Sequence, residues 1–167
     1  MEHNAQILDQ FTRQAEGFAQ AKTTRNEDVL ERIVQAAQCS PEDTTLDVAC
    51  GPGVVVCAFA RVACHATGID LTPAMLEQAK IVQQEQGLSN VKWEIGDATA
   101  LPYKDGEFSI VTTRFTFHHF LDPLAALKEM KRVCRPGGKV VVTDSSPATI
   151  KAEAFNALEK LRDPSHV

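Results

Sequence analysis

The sequence predicts an α/β domain in which helices cover both faces of a parallel β-sheet. Two observations predict it. The chain has 167 residues, which suits one domain with a sizeable core. Short apolar runs alternate with longer segments of helical length, and strands separated by helical crossovers run parallel. Ligands of such sheets lie beyond the C-terminal ends of the strands. The residues that follow each predicted strand are therefore the candidates for a functional site.

The first half of the chain contains three predicted helices and two predicted strands. NEDVLERIVQAAQ is a helix with Asn26 as its N-cap. TTLDVA is a short strand, and GVVVCAFARVA is a helix because its length and position suit a crossover. CHATGID is the second strand and ends at Asp70. TPAMLEQAKIVQQEQG is a helix, with Thr72 as its cap, Pro73 in its first turn and Gly87 at its end.

The second half continues the same alternation. VKWEIG and FSIVTTRF are the third and fourth strands. DPLAALKEMKRVC is a helix that Asp122 caps and Pro123 begins. RPGG is a turn, KVVVTD is the fifth strand, and PATIKAEAFNALEKLRD is a last helix. These segments predict a doubly wound sheet of five strands.

Composition and charge exclude several classes of protein. The formal net charge of −5 argues against a large nucleic-acid surface, which needs clustered Lys and Arg. No apolar run approaches the roughly 20 residues of a membrane helix, and the N-terminus does not resemble a secretory signal. Five cysteines without a C-x-x-C pair disfavour a disulfide or zinc framework. We expect a cytoplasmic protein with reduced thiols.

The first strand runs into a glycine-containing turn, A-C-G-P-G, with Ala49, Gly51 and Gly53. Glycines here let the backbone approach a ligand closely. The turn lacks the third glycine of the dinucleotide fingerprint G-x-G-x-x-G, and no Lys-Ser/Thr pair follows it, as a triphosphate-binding loop would require. A tight turn without a ligand is the alternative interpretation.

Two aspartates end the next two strands. Asp70 can accept hydrogen bonds from both hydroxyls of a ribose, and it would repel a 2′-phosphate, which disfavours NADP. Asp97 can accept from an exocyclic amine while the Ala98 N–H donates to a ring nitrogen, a pair that reads adenine. A helix cap at Asp70 and an Asx-turn at Asp97 are the structural alternatives.

The segment RFTFHHF, Arg114 to Phe120, follows the fourth strand. His118 and His119 are candidates for a general base or for orienting a substrate. The alternative is that one histidine packs on the loop and the other is exposed. No H-x-H or H-E-x-x-H pattern accompanies them, so a metal site is disfavoured.

Taken together, these segments resemble the class I S-adenosylmethionine-dependent methyltransferases, and more closely the ubiquinone/menaquinone-biosynthesis type. LDVACGPG resembles the first motif of that family, GIDLTPAMLEQAK the acidic second and GDATALPYKDGEFSIV the third. HHFLDPLAALKEMKRVCRPGGKVVVTD resembles the fourth and fifth regions. The resemblance implies a Rossmann-like fold, S-adenosylmethionine as cofactor, S-adenosylhomocysteine as product and a small-molecule acceptor.

The resemblance also implies roles for individual residues. The backbone around the first turn would hold the methionine part of the cofactor, Asp70 the ribose, and Asp97 with Ala98 the adenine. Leu71 and Met75 would pack beside the adenosine, and Arg114 would lie near the carboxylate or sulfonium end. The segment FTRQAEGFA would form part of an N-terminal lid over residues 1–25, with Phe11 and Arg13 as the closing side chains. The expected cofactor-binding residues are Ala49, Gly51, Gly53, Asp70, Leu71, Met75, Asp97, Ala98, Arg114 and Phe11.

Two features depart from the family pattern. Ala49 replaces the first glycine of the motif. Alanine adds one methyl group and tolerates ordinary dihedrals, so we expect cofactor binding to survive with slightly tighter packing. The chain stops at LRDPSHV, before the C-terminal antiparallel strands of the family. We therefore expect residues 26–167 to be a methyltransferase domain truncated at its C-terminus. The fifth strand would then be a sheet edge, which predicts a homodimer or aggregation.

The expected reaction is in-line transfer of a methyl group to the acceptor. His119, or else His118, would remove the acceptor's proton. An NAD-dependent oxidoreductase remains an alternative, because it shares the topology and the ribose carboxylate. A cofactor-binding fragment without catalysis is another. An RNA methyltransferase is disfavoured by the acidic charge balance.

Overall fold

The computed structural model describes residues 2–144. Its helices are α1 (Glu2–Gln20), α2 (Glu27–Ala36), α3 (Val54–Ala60), α4 (Pro73–Glu85) and α5 (Pro123–Val133). Its strands are β1 (Thr44–Val48), β2 (His65–Asp70), β3 (Val91–Ile95), β4 (Phe108–Arg114) and β5 (Cys134–Thr143). A single 3₁₀ turn, Phe117–His119, follows β4. The helix expected at PATIKAEAFNALEKLRD lies outside the described residues.

The five strands form one parallel sheet in the order β3-β2-β1-β4-β5. The chain winds outward from β1 in one direction to β3, returns to the other side of β1 with β4, and continues to β5. The predicted α/β fold is confirmed. The reversal of direction beside β1 brings the C-terminal ends of β1, β2 and β4 together, and ligands of doubly wound sheets bind at such a point.

Two apolar clusters hold the layers together. On one face, α2 and α3 pack on the sheet around Leu30, Val56 and Phe59. On the other face, α5 packs through Met130 and Val133 against apolar side chains of β1, β2 and β4. Every side chain of the seven-residue α3 is buried, which explains why an unbroken apolar run, GVVVCAFA, forms a helix without a polar face.

The local signals for helix ends were mostly correct. Asn26 accepts a hydrogen bond from the Val29 N–H, and Asp122 accepts one from the Ala125 N–H, as N-caps do. Thr72 occupies the N-cap position of α4, but its side chain makes no capping hydrogen bond. Gly87 follows α4 in the left-handed region, with φ of +64°.

The prediction of a turn at RPGG was wrong. β5 begins at Cys134 and includes these residues, and its pairing with β4 jumps from Phe108–Cys134 to Ile110–Lys139. The extra residues form a bulge in which Gly137 takes a φ of +76°. Within the described residues β5 pairs with β4 alone. The expected homodimer through β5 stays a prediction, and light scattering at high concentration would test it.

Candidate functional site

A cavity of about 170 Å³ lies where β1, β2 and β4 end and α1 crosses above them. Its floor is formed by the strand ends and the loops that follow them, and its roof by one side of α1. The floor includes Asp47, Ala49, Gly51, Asp70, Asp97 and Arg114. The roof residues are Asn4, Ile7, Phe11 and Phe18.

The turn after β1 has an unusual backbone. Ala49 has a φ of +54° and Gly51 a φ of +52°, both in the left-handed region. Ala49 therefore lacks the ordinary dihedrals that the sequence analysis assumed, whereas the survival of cofactor binding stays a prediction. An alanine is strained there by roughly 1–2 kcal/mol because its Cβ crowds the following carbonyl oxygen. Strain of this kind persists where surrounding structure fixes the backbone, and it is concentrated at functional sites.

Asp70 ties this turn to the second strand. One carboxylate oxygen, Oδ2, accepts from the Gly51 N–H at 2.7 Å, and Oδ1 accepts from the Thr72 N–H at 2.8 Å. The side chain is 8% exposed and lines the cavity. Burial raises the pKa of Asp70, and the bonds from Thr72 and Gly51 only partly offset it. Each oxygen retains a second lone pair, so the carboxylate can still accept from a ligand hydroxyl.

Asp97 and its neighbours line the cavity beside Asp70. Asp97 Oδ1 accepts from the Thr99 N–H and hydroxyl, which is the Asx-turn that was the alternative interpretation. Its other oxygen accepts from the Asn4 amide at 3.1 Å, a contact between floor and roof. Burial alone would raise the pKa of Asp97, but these hydrogen bonds outweigh it and lower the pKa. Leu71, Met75 and Ala98 also line the cavity.

Asp47 is a site residue that the motif comparison did not single out. It lies next to last in β1, is 3% exposed and lines the cavity. Thr112 donates to its Oδ1 at 2.7 Å. Burial raises the pKa of Asp47 to about 7, although the Thr112 bond and the nearby Arg114 charge act in the opposite direction. A charged residue between Leu46 and Val48, two fully buried positions of a central strand, is the signal that could have found it.

Arg114 ends β4 and lines the cavity on the other side of β1. Its two terminal nitrogens do not point to open space. Nη1 donates to the Thr24 carbonyl at 3.0 Å and Nη2 to the Thr23 carbonyl at 2.9 Å. The guanidinium carbon lies 4.6 Å from the ring centre of Phe115, which has a strained φ of +55°. Arg114 thus joins the sheet to the segment after α1.

The two histidines occupy different surroundings. His119 is 7% exposed, lines the cavity and meets the Phe11 ring edge to face at 5.1 Å. The Nδ1 atom of His118 lies 2.8 Å from an oxygen of Asp144, and the two imidazole centres are 4.1 Å apart. Arg13 was expected to close the lid, but it pairs with Asp9 on the exposed side of α1.

The structure brings most of the predicted site residues to one cavity. Gly53 and His118 are not among the lining residues. Gly53 begins α3, and a Cβ there would collide with the Trp93 ring and with Ala79, so its lack of a side chain serves packing. The lining residues that sequence reasoning missed include Asn4, Ile7, Phe18, Thr24, Asp47 and Phe115.

The charge of the cavity bears on which ligand it suits. Asp47, Asp70 and Asp97 line it, and Arg114 is the only permanent cation among the described lining residues. With several carboxyl groups and a single cation, this wall offers little to bind the negative charge of a pyrophosphate. No group of three or more His, Cys, Asp or Glu side chains within residues 2–144 is arranged to hold a metal ion. Nor does any helix described here combine the length and apolarity needed to cross a membrane.

Comparison with known proteins supports one family. Residues 46–142, well over half of the chain, match the profile described as "Methyltransferase domain". The matched segment begins in β1 and ends in β5, so it contains the floor of the cavity and leaves out α1.

Individual relatives extend the match. The chain is 34% identical over 159 residues to an uncharacterized methyltransferase, YcgJ, of Bacillus subtilis, which covers 94% of this chain and 63% of that protein. The crystal structure of YcgJ superposes with a TM-score of 0.78, covering 84% of this chain and 61% of that one. A demethylmenaquinone methyltransferase of Staphylococcus aureus is 41% identical over 108 residues, 63% of this chain and 44% of that protein. The chain thus spans less than two thirds of these relatives.

Proposed function

The chain belongs to the methyltransferase domain family, and from that premise we propose that it transfers a methyl group from S-adenosylmethionine to a small-molecule acceptor. The observation that carries the proposal is the acidic cavity at the strand ends. Asp70 and Asp97 line this cavity and would bind the ribose and the adenine of the cofactor. The strained turn at Ala49 and Gly51 would let the backbone approach the ligand. The carboxyl groups of Asp70 and Asp97 suit a sulfonium ligand better than an anionic dinucleotide.

When bound, S-adenosylmethionine would supply an activated methyl group on a sulfonium. The protein then has to align the acceptor and exclude water. Asp70 would hold the ribose hydroxyls, and Asp97 with the Ala98 N–H would hold the adenine edge. Phe11 on α1 lies above the cavity beside His119 and would keep water from the reacting centre.

Either histidine can serve as the base that removes a proton from the acceptor. We propose His119, because it lines the cavity. His118 is the alternative, since the Asp144 carboxylate at 2.8 Å would hold a proton on Nδ1 and leave the lone pair on Nε2. Replacing each in turn by Gln separates them. If turnover on an identified acceptor survives both replacements, neither histidine is the base.

The acceptor class is a finer proposal. Four phenylalanines line the cavity, and the match to a demethylmenaquinone methyltransferase has 41% identity. We propose an aromatic, largely apolar acceptor of the quinol type. A panel that contains demethylmenaquinol, a catechol and a hydrophilic amine, each assayed for S-adenosylhomocysteine formation, tests it. Exclusive turnover of the amine would contradict the proposal.

Binding separates the methyltransferase from the oxidoreductase alternative. Calorimetry with S-adenosylhomocysteine and with NADH, on the same preparation, should show heat of binding for the first ligand alone. Asp70→Asn should lower the affinity for S-adenosylhomocysteine about 100-fold. Asp9→Asn makes the same change on the exposed side of α1 and is its matched control. Binding of NADH with comparable affinity would overturn the proposal. Binding of S-adenosylhomocysteine without turnover of any acceptor would favour a non-catalytic role.

A further inference from the structure

The loop between β3 and β4, residues 96–107, is held by two side chains of α5. Glu129 and Arg132 form a bidentate ion pair, in which Nε donates to Oε1 and Nη2 to Oε2, each at 2.7 Å. The Leu101 N–H donates to Glu129 Oε2 at 2.9 Å. Arg132 Nη2 donates to the Leu101 carbonyl at 2.9 Å. The pair therefore binds both main-chain polar groups of one loop residue.

The other donor atom of Arg132 extends this contact along the loop. Nη1 donates to the Tyr103 carbonyl at 2.7 Å and to Asp105 Oδ1 at 2.9 Å. The Arg132 carbonyl also accepts from the Gly106 N–H at 2.9 Å. All five N–H donors of the guanidinium thus have acceptors, and each of these acceptors lies on α5 or on the loop. Because the guanidinium is planar and its donors have fixed directions, this arrangement fixes the course of the loop.

The loop begins in the wall of the cavity. Its first three residues, Gly96, Asp97 and Ala98, line the cavity. Leu101 follows three residues later and is buried. Between them the chain makes one tight turn, in which the Ala100 N–H donates to the Asp97 carbonyl at 3.1 Å. Because so short a turn separates them, the position of Leu101 determines how Asp97 and Ala98 face the cavity.

The cavity-lining part of the loop lies between two anchors. The Gly96 N–H donates to the Asp70 carbonyl at 3.1 Å, which ties the start of the loop to β2. The second anchor is the attachment of Leu101 to α5. Asp97 and Ala98 lie between these points, so a change at the second anchor alters their position while the first remains in place.

We propose that Glu129 and Arg132 are positioning residues that set the base selectivity of the cavity by holding the β3–β4 loop. Neither side chain lines the cavity, so their effect passes through the loop. The inference rests on the proposed function, in which Asp97 and Ala98 bind the adenine of the cofactor. A loop released from α5 places these two groups less accurately, and selectivity for the base falls before binding is lost.

The ratio of two affinities measures this selectivity. S-adenosylhomocysteine has an amine that can donate to Asp97 and a ring nitrogen that can accept from the Ala98 N–H. S-inosylhomocysteine carries hypoxanthine instead, which reverses donor and acceptor at both positions. Calorimetry on the unaltered chain should show a preference for S-adenosylhomocysteine on the order of 100-fold, because the wrong base leaves buried polar groups unpaired.

Two variants should weaken the preference. Arg132→Lys should lower it about tenfold, because one ammonium group cannot reach Glu129 and both loop carbonyls together. Glu129→Gln keeps the size of the side chain and an acceptor for the Leu101 N–H. It should give a smaller fall in the same direction, and it carries the test if Arg132→Lys does not fold.

Two further variants are controls. Arg61→Lys breaks another bidentate pair, with Glu27, which joins the end of α3 to α2 and does not involve the loop. It should leave the preference unchanged, whatever its effect on stability. Asp105→Asn alters only the exposed partner of Arg132 and should change the preference by no more than about twofold.

A double variant shows whether the effect passes through Asp97. An asparagine amide can rotate to serve either base, so Asp97→Asn should lose most of the preference by itself. Adding Arg132→Lys should then lower the ratio no further, whereas two independent effects would multiply.

The outcomes separate this inference from the function on which it rests. A preference that stays at the wild-type value in Arg132→Lys and Glu129→Gln overturns the positioning role while leaving cofactor binding intact. An equal loss in Arg61→Lys also overturns it, since general destabilisation would then explain both, and so does a full further tenfold loss in the double variant. A wild type that binds both ligands equally overturns the base selectivity itself. Absence of S-adenosylhomocysteine binding overturns the proposed function and the positioning role together.

Discussion

The floor and the roof of the cavity are built in opposite ways. The floor consists of the ends of central strands, where Asp47 and Asp70 are buried and each accepts hydrogen bonds of 2.7–2.8 Å from fixed donors. The roof is a 19-residue helix in which two of the described side chains, both alanines, are buried and one, Asn4, makes a polar contact with the floor. The floor is fixed by its own hydrogen bonds, whereas the roof meets the cavity mainly through half-buried apolar side chains. Changes in the floor should therefore cost stability, and changes in the roof should mainly cost affinity.

The largest expected effect is that of Gly53→Ala, behind the floor. A Cβ at this position would lie 2.7 Å from the Cβ of Ala79 and closer still to the Trp93 ring, and the φ of +75° disfavours alanine. Overpacking and backbone strain together should lower the free energy of unfolding by about 4 kcal/mol. Urea unfolding measures the loss.

Gly51→Ala is the matched control for Gly53→Ala. Its φ of +52° is also left-handed, but nothing lies within 4 Å of the added Cβ. The strain of an alanine in the left-handed region should then lower the free energy of unfolding by about 1–2 kcal/mol. Equal losses in the two variants would show that packing against Trp93 does not stabilise the floor.

The next effect concerns the pH dependence of stability. Burial raises the pKa of Asp47 to about 7 in the folded protein, from an ordinary value of 3.8. Between these values the folded protein holds a proton that the unfolded chain has released, so stability is lost as pH rises from 4 to 8. Asp47→Asn cannot titrate. The wild type should therefore lose on the order of 3 kcal/mol relative to this variant across that range.

Unfolding titrations at a series of pH values measure this difference. Asp97→Asn supplies a control of opposite sign, because hydrogen bonds from Thr99 and Asn4 outweigh burial and lower the pKa of Asp97. Relative to that variant, the wild type should lose stability as pH falls. A wild type that gains stability relative to Asp47→Asn as pH rises would contradict the buried, protonated state of Asp47.

The sequence predicts the floor better than the roof for a physical reason. Strand runs, the caps at Asn26 and Asp122, and the bond from the Thr72 N–H to Asp70 at the end of β2 are all encoded within a few neighbouring residues. The contacts of the roof join residues some 90 positions apart, as from Asn4 to Asp97 and from Arg114 to Thr24. No local pattern indicates such pairs, because they depend on how α1 is laid across a finished sheet.

Two local predictions failed because neighbours overrode a residue's own preference. RPGG reads as a turn, but pairing with β4 draws it into a bulged strand. Ala49 favours ordinary dihedrals, but β1 on one side and the Gly51–Asp70 bond on the other hold it at a φ of +54°. Asp47 was missed because it lies within β1, and the search for site residues began after the strand ends.

A smaller effect is expected in the roof. Phe11→Ala removes a half-buried ring that meets His119 edge to face and lines the cavity. Because α1 contributes little to the core, the free energy of unfolding should fall by no more than about 1 kcal/mol. Affinity for S-adenosylhomocysteine should fall about tenfold, since the ring covers the bound ligand. Calorimetry and urea unfolding on the same variant give both numbers.

Leu121→Ala is the control for Phe11→Ala, because Leu121 is an exposed apolar side chain outside the cavity lining. It should leave both the stability and the affinity close to those of the wild type. If Phe11→Ala instead loses 3 kcal/mol or more of stability, as a core phenylalanine would, the roof is as firmly built as the floor and the contrast between them fails.

The smallest expected effect has the opposite sign and lies within the floor. Ala49→Gly relieves the strain of a left-handed alanine, worth roughly 1–2 kcal/mol, and adds flexibility to the unfolded chain, which costs about 0.4–1 kcal/mol. The free energy of unfolding should rise by about 0.5–1 kcal/mol. Ala36→Gly, at the exposed end of α2, makes the same substitution at a residue with ordinary helical dihedrals. It should lower the free energy of unfolding by a similar amount. If both variants lose stability equally, the floor does not strain Ala49. If Ala49→Gly alone gains stability, the native turn holds a strained residue against its own preference, as expected of a floor fixed before the ligand binds.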